Sequence, residues 1–156
     1  MSNKIKDNLD VILDVEIKKL TFEEMENLFE KEGFIEGRGT TQRVYIDIYN
    51  ETSENFMLAS RGEPLQGKWE RSPPIKLFAN SDIRAINIGS AFAGPKGFLR
   101  YETFDDKFCN VNWHWSHNSK FSYSVNSGPA PIYSEDKSKL HAQNYILITV
   151  HIRNKK

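Results

Sequence analysis

Short runs in which apolar and polar residues alternate recur along this chain, and turn chemistry separates them. Arg43–Asn50 sets Val44, Ile46 and Ile48 on one face and Tyr45, Asp47 and Tyr49 on the other, the period-two pattern of a half-buried strand. Residues 55–60 read as a second strand. Residues 85–125 are the stretch around which the rest is organised. There the runs 83–92, 98–104, 108–115 and 121–126 are parted by G-P-K-G at 94–97, D-D-K at 105–107 and S-H-N-S-K at 116–120. Gly and Asn tolerate positive φ and Pro presets a turn, so these are reversals and the stretch is an antiparallel meander. Residues 144–153 give the strongest strand, with Ile146, Ile148, Val150 and Ile152 on its buried face. Residues 65–74 end in Ser72-Pro73-Pro74, which a central strand does not accommodate. Residues 75–82 read as irregular and 127–142 as a long loop. Seven or eight short strands without βαβ alternation predict a mainly β, antiparallel sandwich or barrel.

The first forty residues follow another pattern. Residues 4–20 fit either a helix, through Ile5, Leu9, Ile12, Leu13 and Leu20, or a strand, through Val11, Leu13, Val15 and Ile17. Thr21-Phe22-Glu23-Glu24 is a capping box, in which a Thr hydroxyl and a Glu carboxylate satisfy the free N–H groups of a helix start. Met25, Leu28 and Phe29 follow as an apolar stripe and Gly33 as a stop, which predicts a helix over 22–32. Gly37-Arg38-Gly39-Thr40-Thr41 reads as a linker. The expected organisation is an N-terminal extension, 1–41, and a β domain, 42–156.

Charge changes sign near that boundary. Residues 1–42 carry six Lys/Arg against ten Asp/Glu, and the remainder fifteen against eleven. The net charge of zero leaves no electrostatic footprint for nucleic acid. Cys109 is the one cysteine, so an intrachain disulfide is ruled out. Apolar runs stay well short of the roughly eighteen residues that a spanning helix needs. The N-terminus lacks an apolar signal core, so the expectation is synthesis in a cytosol, as a stored inclusion or otherwise, followed by release.

The sequence offers little for catalysis. Cys109 lies in an alternating run in phase with Val111 and Trp113 and reads as a core thiol. His114 and His117 form H-x-x-H, without the cysteine or carboxylate partners that make such a pair converge on a metal. Asp105-Asp106 reads as a turn. Phosphate-loop, nucleophile-elbow and zinc-protease motifs are missing. The expectation is a protein that is not an enzyme and carries no cofactor or metal.

Ten Phe, six Tyr and three Trp are more informative. A Trp at a rim suits a membrane interface or a sugar ring, being apolar with one polar handle. Trp69, Trp113 and Trp115 read either so or as core.

The order of features in residues 42–153 resembles the aegerolysins, small β-sandwich proteins of fungi and bacteria that include one partner of binary insecticidal toxins. The matching segments are I-D-I-Y-N at 46–50, G-K-W-E-R-S-P at 67–73, and the I-x-x-I-x-I-x-S-x-F-x-G-x-x-G-x-x-x-Y run at 83–101. An aromatic strand and polar turn at 111–120 and the final aliphatic strand complete the order. Ser116-His117 stands where family members commonly carry a Pro-aromatic step, and an extension like 1–41 is not part of the family pattern.

The resemblance implies a β-sandwich of about seven to nine strands. It also implies a non-enzymatic, toxin-like protein that recognises sphingolipid- or sterol-containing membranes and permeabilises them with a larger pore-forming partner. Trp69 and Trp113 carry over as lipid-binding residues from the matching segments. Trp115 and His117 join them by position, and Lys120 is placed to meet a headgroup phosphate. Removal of Trp69 and Trp115 is expected to abolish membrane binding if they face lipid, and to unfold the protein if they are core. The alternative is a lectin-like sandwich in which the same tryptophans stack on sugars. The acidic extension could dock on the basic body, dimerise the chain or meet a partner toxin.

Overall fold

The computed structural model describes residues 11–19, 42–59, 64–90, 93–115, 121–127, 133–136 and 145–154. Eleven strands are present among them: β1 (Val11–Lys19), β2 (Arg43–Asn50), β3 (Phe56–Leu58), β4 (Lys68–Arg71), β5 (Lys76–Leu77), β6 (Ser81–Ile88), β7 (Lys96–Glu102), β8 (Phe108–Trp115), β9 (Phe121–Asn126), β10 (Tyr133–Asp136) and β11 (Tyr145–Asn154). They form a five-stranded sheet in the order β1-β11-β2-β6-β4 and a six-stranded sheet in the order β10-β9-β8-β7-β3-β5.

The two sheets share one hydrophobic cluster. Val44, Ile46, Ile48, Ile146, Ile148, Val150 and Ile152 enter it from the first sheet, and Leu99, Tyr101, Cys109, Val111, Trp113, Trp115, Phe121 and Val125 from the second. Burying each large aliphatic or aromatic chain contributes about 1.5–3 kcal/mol. Two layers on one core is the arrangement of a sandwich.

The expected meander holds for β7, β8 and β9, paired antiparallel in sequence order, but its first strand, β6, lies in the other sheet between β2 and β4. Several expectations change. Of the two readings of residues 4–20, the described part, β1, is a strand. It pairs antiparallel with β11 from Val11–Asn154 to Lys19–Ile146, so this segment ahead of residue 42 belongs to the body's own sheet. The helix expected at 22–32 and the linker at 37–41 lie outside the described residues.

The sheet is not wholly antiparallel: β11 runs parallel to β2, from Tyr145–Arg43 to Ile152–Asn50. Local alternation carries no information about which distant strand a segment joins. β4 interrupts the segment that ends in Ser72-Pro73-Pro74, and it does so at a sheet edge, where Pro nearby is tolerated. Short strands β5 and β10 lie inside stretches read as irregular and as loop.

β2 is buried on both faces rather than half-buried, since Arg43, Tyr45 and Asp47 are as enclosed as Val44 and Ile46. Buried charges persist only when paired. Arg43 donates through Nε and Nη2 to Glu70 at 2.7 and 3.0 Å, and Arg84 through Nε and Nη2 to Asp47 at 2.6 and 2.7 Å. The guanidinium groups also lie over Tyr145 and Tyr45, each 5.7 Å from the ring centre.

Candidate functional site

The tryptophans gather at one end of the sandwich. Trp113 is 2% exposed and Trp115 1%, so both are core residues whose rings offer no surface to a membrane or a sugar. Their phase fixes this: Cys109, Val111, Trp113 and Trp115 all point inward from β8. Trp113 crosses between the sheets, its Nε1 donating to Asn87 Oδ1 on β6 at 2.7 Å. Asn87 Nδ2 donates in turn to the carbonyls of Gln66 and Lys68, at 3.2 and 3.1 Å.

The ring also lies over Gly97, its cross-strand partner. A Cβ there would come within 2.8 Å of Trp113 Cζ2. Trp69 packs on Trp113 with ring centres 6.0 Å apart at 59° and is partly buried. Trp115 meets Phe121 edge-on at 6.0 Å. Of the five expected site residues, the structure thus brings together Trp69 and Trp113 as packing partners. His117 and Lys120 lie outside the described residues.

The remaining chemistry of this end is quiet. Cys109 is fully buried and its thiol is pushed up to about 12 by that burial, whereas thiol nucleophiles need a depressed value. Burial, and Lys96 nearby, hold the His114 imidazole below its usual value. Among the described residues, His, Cys, Asp and Glu form no group of three able to hold a metal ion. No helix among them is long and apolar enough to cross a membrane.

The opposite end exposes the aromatics. Turns at 51–55, 78–80 and 103–107 cluster there, tied by Asn50, whose Nδ2 donates to the carbonyls of Glu54, Leu77 and Phe78 at 2.7, 3.3 and 3.1 Å. Phe104 stands fully exposed on the β7–β8 turn, and Phe78 is 54% exposed on the β5–β6 turn. Asn55, Met57, Leu58, Ala59, Lys76 and Thr103 border the depression between them, which has a volume of about 520 Å³. Exposed, contiguous apolar side chains of this kind mark interaction surfaces.

The Phe104 turn is held in place. Thr103 N donates to Lys107 O at 2.9 Å, Lys107 N to Thr103 Oγ1 at 3.1 Å, and Thr103 Oγ1 to Asp105 Oδ1 at 2.5 Å. Asp106 takes the left-handed φ of 69° that closes the reversal, and Lys107 Nζ pairs with Glu54 across the end. The Thr103 hydroxyl, aided by Lys107, holds the Asp105 carboxyl below the usual range. Lys76 Nζ lies over the Phe78 ring, 5.9 Å from its centre.

Phe78 and Phe104 are absent from the sequence-based site. The available signal was phase: Phe78 follows the inward Leu77 immediately, and Phe104 sits between Thr103 and Asp105-Asp106 inside turn chemistry. Neither position can turn into the core.

No protein-family model matches the chain, and no curated protein sequence matches it. Solved structures do. The lipid binding protein Nakanori is similar with a TM-score of 0.58 and 12% identity, over 85% of this chain and 78% of that one. IP-1A from Alcaligenes faecalis is similar with a TM-score of 0.52 and 14% identity, over 76% of this chain and 95% of that one. At these identities the likeness is one of fold, and it accords with the fold that the aegerolysin resemblance implies.

Trp113→Phe keeps most of the ring but strands the buried Asn87 Oδ1. An unpaired buried acceptor costs about 1–3 kcal/mol. Urea denaturation should show a loss of that size, with secondary structure unchanged by circular dichroism; no measurable loss would mean that the bond does not join the sheets.

Proposed function

We propose that this protein binds membrane lipids through the end of the sandwich that carries Phe78 and Phe104, and that it is toxin-like and not an enzyme. The observation that carries the reading is the fully exposed Phe104 on a pinned turn, beside the half-exposed Phe78 and an apolar depression. Phe is among the apolar residues that interfacial segments bury at the headgroup–acyl boundary. A turn ordered in advance spends little conformational freedom on insertion. The fold shared with a lipid binding protein supports the reading, as does the aegerolysin resemblance.

Both signs of charge surround the patch. Glu54, Glu102 and Asp105 stand with Lys76 and Lys107, and Glu51 with Arg153. A mixed rim suits a zwitterionic headgroup layer, and attraction to anionic lipid is not the driving force. Permeabilisation would come from a larger pore-forming partner recruited to the bound protein, after its release to a target membrane. The protein alone would then cause little dye leakage.

Burying a Phe is worth about 1.5–3 kcal/mol, so Phe78→Ala with Phe104→Ala should weaken binding to sphingomyelin–cholesterol vesicles on the order of 100-fold. Co-sedimentation measures it, and both residues are exposed, so the fold should survive. Retained binding would contradict the proposal. If His117→Ala or Lys120→Ala removes binding instead, the lipid site is not the Phe78–Phe104 end.

The pH dependence follows from the same turns. Asp105 is depressed by the Thr103 hydroxyl, and Glu51 by hydrogen bonds with His151 and Arg153. A depressed carboxyl contributes fully above its unfolded value, near ~4, and the contribution is lost as pH falls through the folded value. The contribution of these turns to stability, read by circular dichroism, should therefore be lost only as pH falls below about 4. A transition near ~6.5 would contradict this and point to an imidazole.

A further inference from the structure

We propose a second binding site on the outer face of β7, β8 and β9, a groove that takes one ring of a neutral sugar. It is distinct from the Phe78–Phe104 end. β7 runs from Lys96 at the groove to Glu102 beside the Phe104 turn, and six residues of strand span roughly 20 Å.

Alternation sends the even-numbered residues of these strands outward. On β8 and β9 the outward set from Asn110 is Asn110, Asn112, His114, Ser122, Ser124 and Asn126, paired across the strands as Asn110–Asn126, Asn112–Ser124 and His114–Ser122. A solvated sheet face usually carries charge, since Lys, Glu, Asp and Arg are the residues most consistently left in water. Here every one of these positions offers a carboxamide, a hydroxyl or an imidazole.

The groove itself, about 240 Å³, is lined by Leu65, Lys96, Asn112, His114, Ser122 and Ser124 over the strand backbones. That volume falls below the roughly 300–1,000 Å³ of drug-sized sites and suits one ring. Asn112 Nδ2 donates to Ser124 Oγ at 3.2 Å, which sets the carboxamide plane before a ligand arrives. Carboxamides and hydroxyls both donate and accept, as sugar hydroxyls do, and they desolvate at lower cost than charges. Leu65 is exposed at the border and offers apolar contact to the C–H face of a ring.

Among the described residues, Lys96 is the one charged side chain lining the groove. A phosphate or sulfate would call for several converging cations, so a neutral polyol is favoured.

The test is a glycan array probed with the full chain, followed by calorimetric titration with the best-bound free oligosaccharide and, separately, with inorganic phosphate. Asn112→Ala and Ser122→Ala should each weaken sugar binding tenfold or more. Lys96→Gln should change it little, and Phe104→Ala not at all. Urea denaturation of each variant checks the fold. An array without a bound glycan, binding indifferent to both Asn112→Ala and Ser122→Ala, or a phosphate interaction that Lys96→Gln abolishes would overturn the proposal.

Discussion

The hydrogen bond from Trp113 to Asn87 is the constraint on which the rest of the structure depends. It is a polar contact set among apolar core side chains, and it joins the middle of one sheet to an inner strand of the other. Apolar packing alone is non-directional, and two sheets packed by aliphatic residues can slide. A buried bond with one geometry cannot follow such a slide without leaving an acceptor unpaired. Asn87 extends the constraint outward, because its second arm holds the backbone of residues 66 and 68. That segment passes Gly67 at a φ of 81°, where a Cβ would lie 2.1 Å from the Ile88 carbonyl oxygen. Tryptophan, asparagine and two glycines thus form one interlocked unit.

A division of labour follows. The tryptophan end spends its aromatic surface on joining the sheets. The opposite end leaves Phe78 and Phe104 in water, which costs nothing in stability and presents apolar surface on turns braced by Thr103, Asp105 and the Lys107–Glu54 pair. On the proposed function, a small exposed patch on a rigid frame is what would meet the membrane. The ion pairs of Arg43 with Glu70 and Arg84 with Asp47 hold the other side of the first sheet.

Much of this fold was legible in the sequence. The alternation at β2, β7, β8, β9 and β11 and the turn residues between 94 and 120 carry the two-sheet architecture. Register with distant strands was not legible: β1 matches helical and extended periods equally, and nothing local in β11 says that it will lie parallel to β2. Site residues were harder. Trp113 and Trp115 share a phase with Cys109 and Val111, so the pattern that marked the cysteine as core applied equally to them. Asn87 continues the inward phase of Ile83 and Ala85, and a lone polar residue in such a series signals a buried partner. Phe78 and Phe104 were missed although phase marked them: Phe78 follows the inward Leu77 in a stretch read as irregular, and Phe104 closes the run 98–104 just before its turn.

The most direct measurement is tryptophan emission during vesicle binding, with co-sedimentation confirming that the protein is bound. The account predicts blue emission from Trp113 and Trp115 before lipid is added and an almost unchanged maximum afterwards, because the membrane meets phenylalanines at the far end. A large blue shift on binding, or quenching of Trp113 and Trp115 by lipid-borne quenchers, would place the tryptophans in the membrane and contradict it.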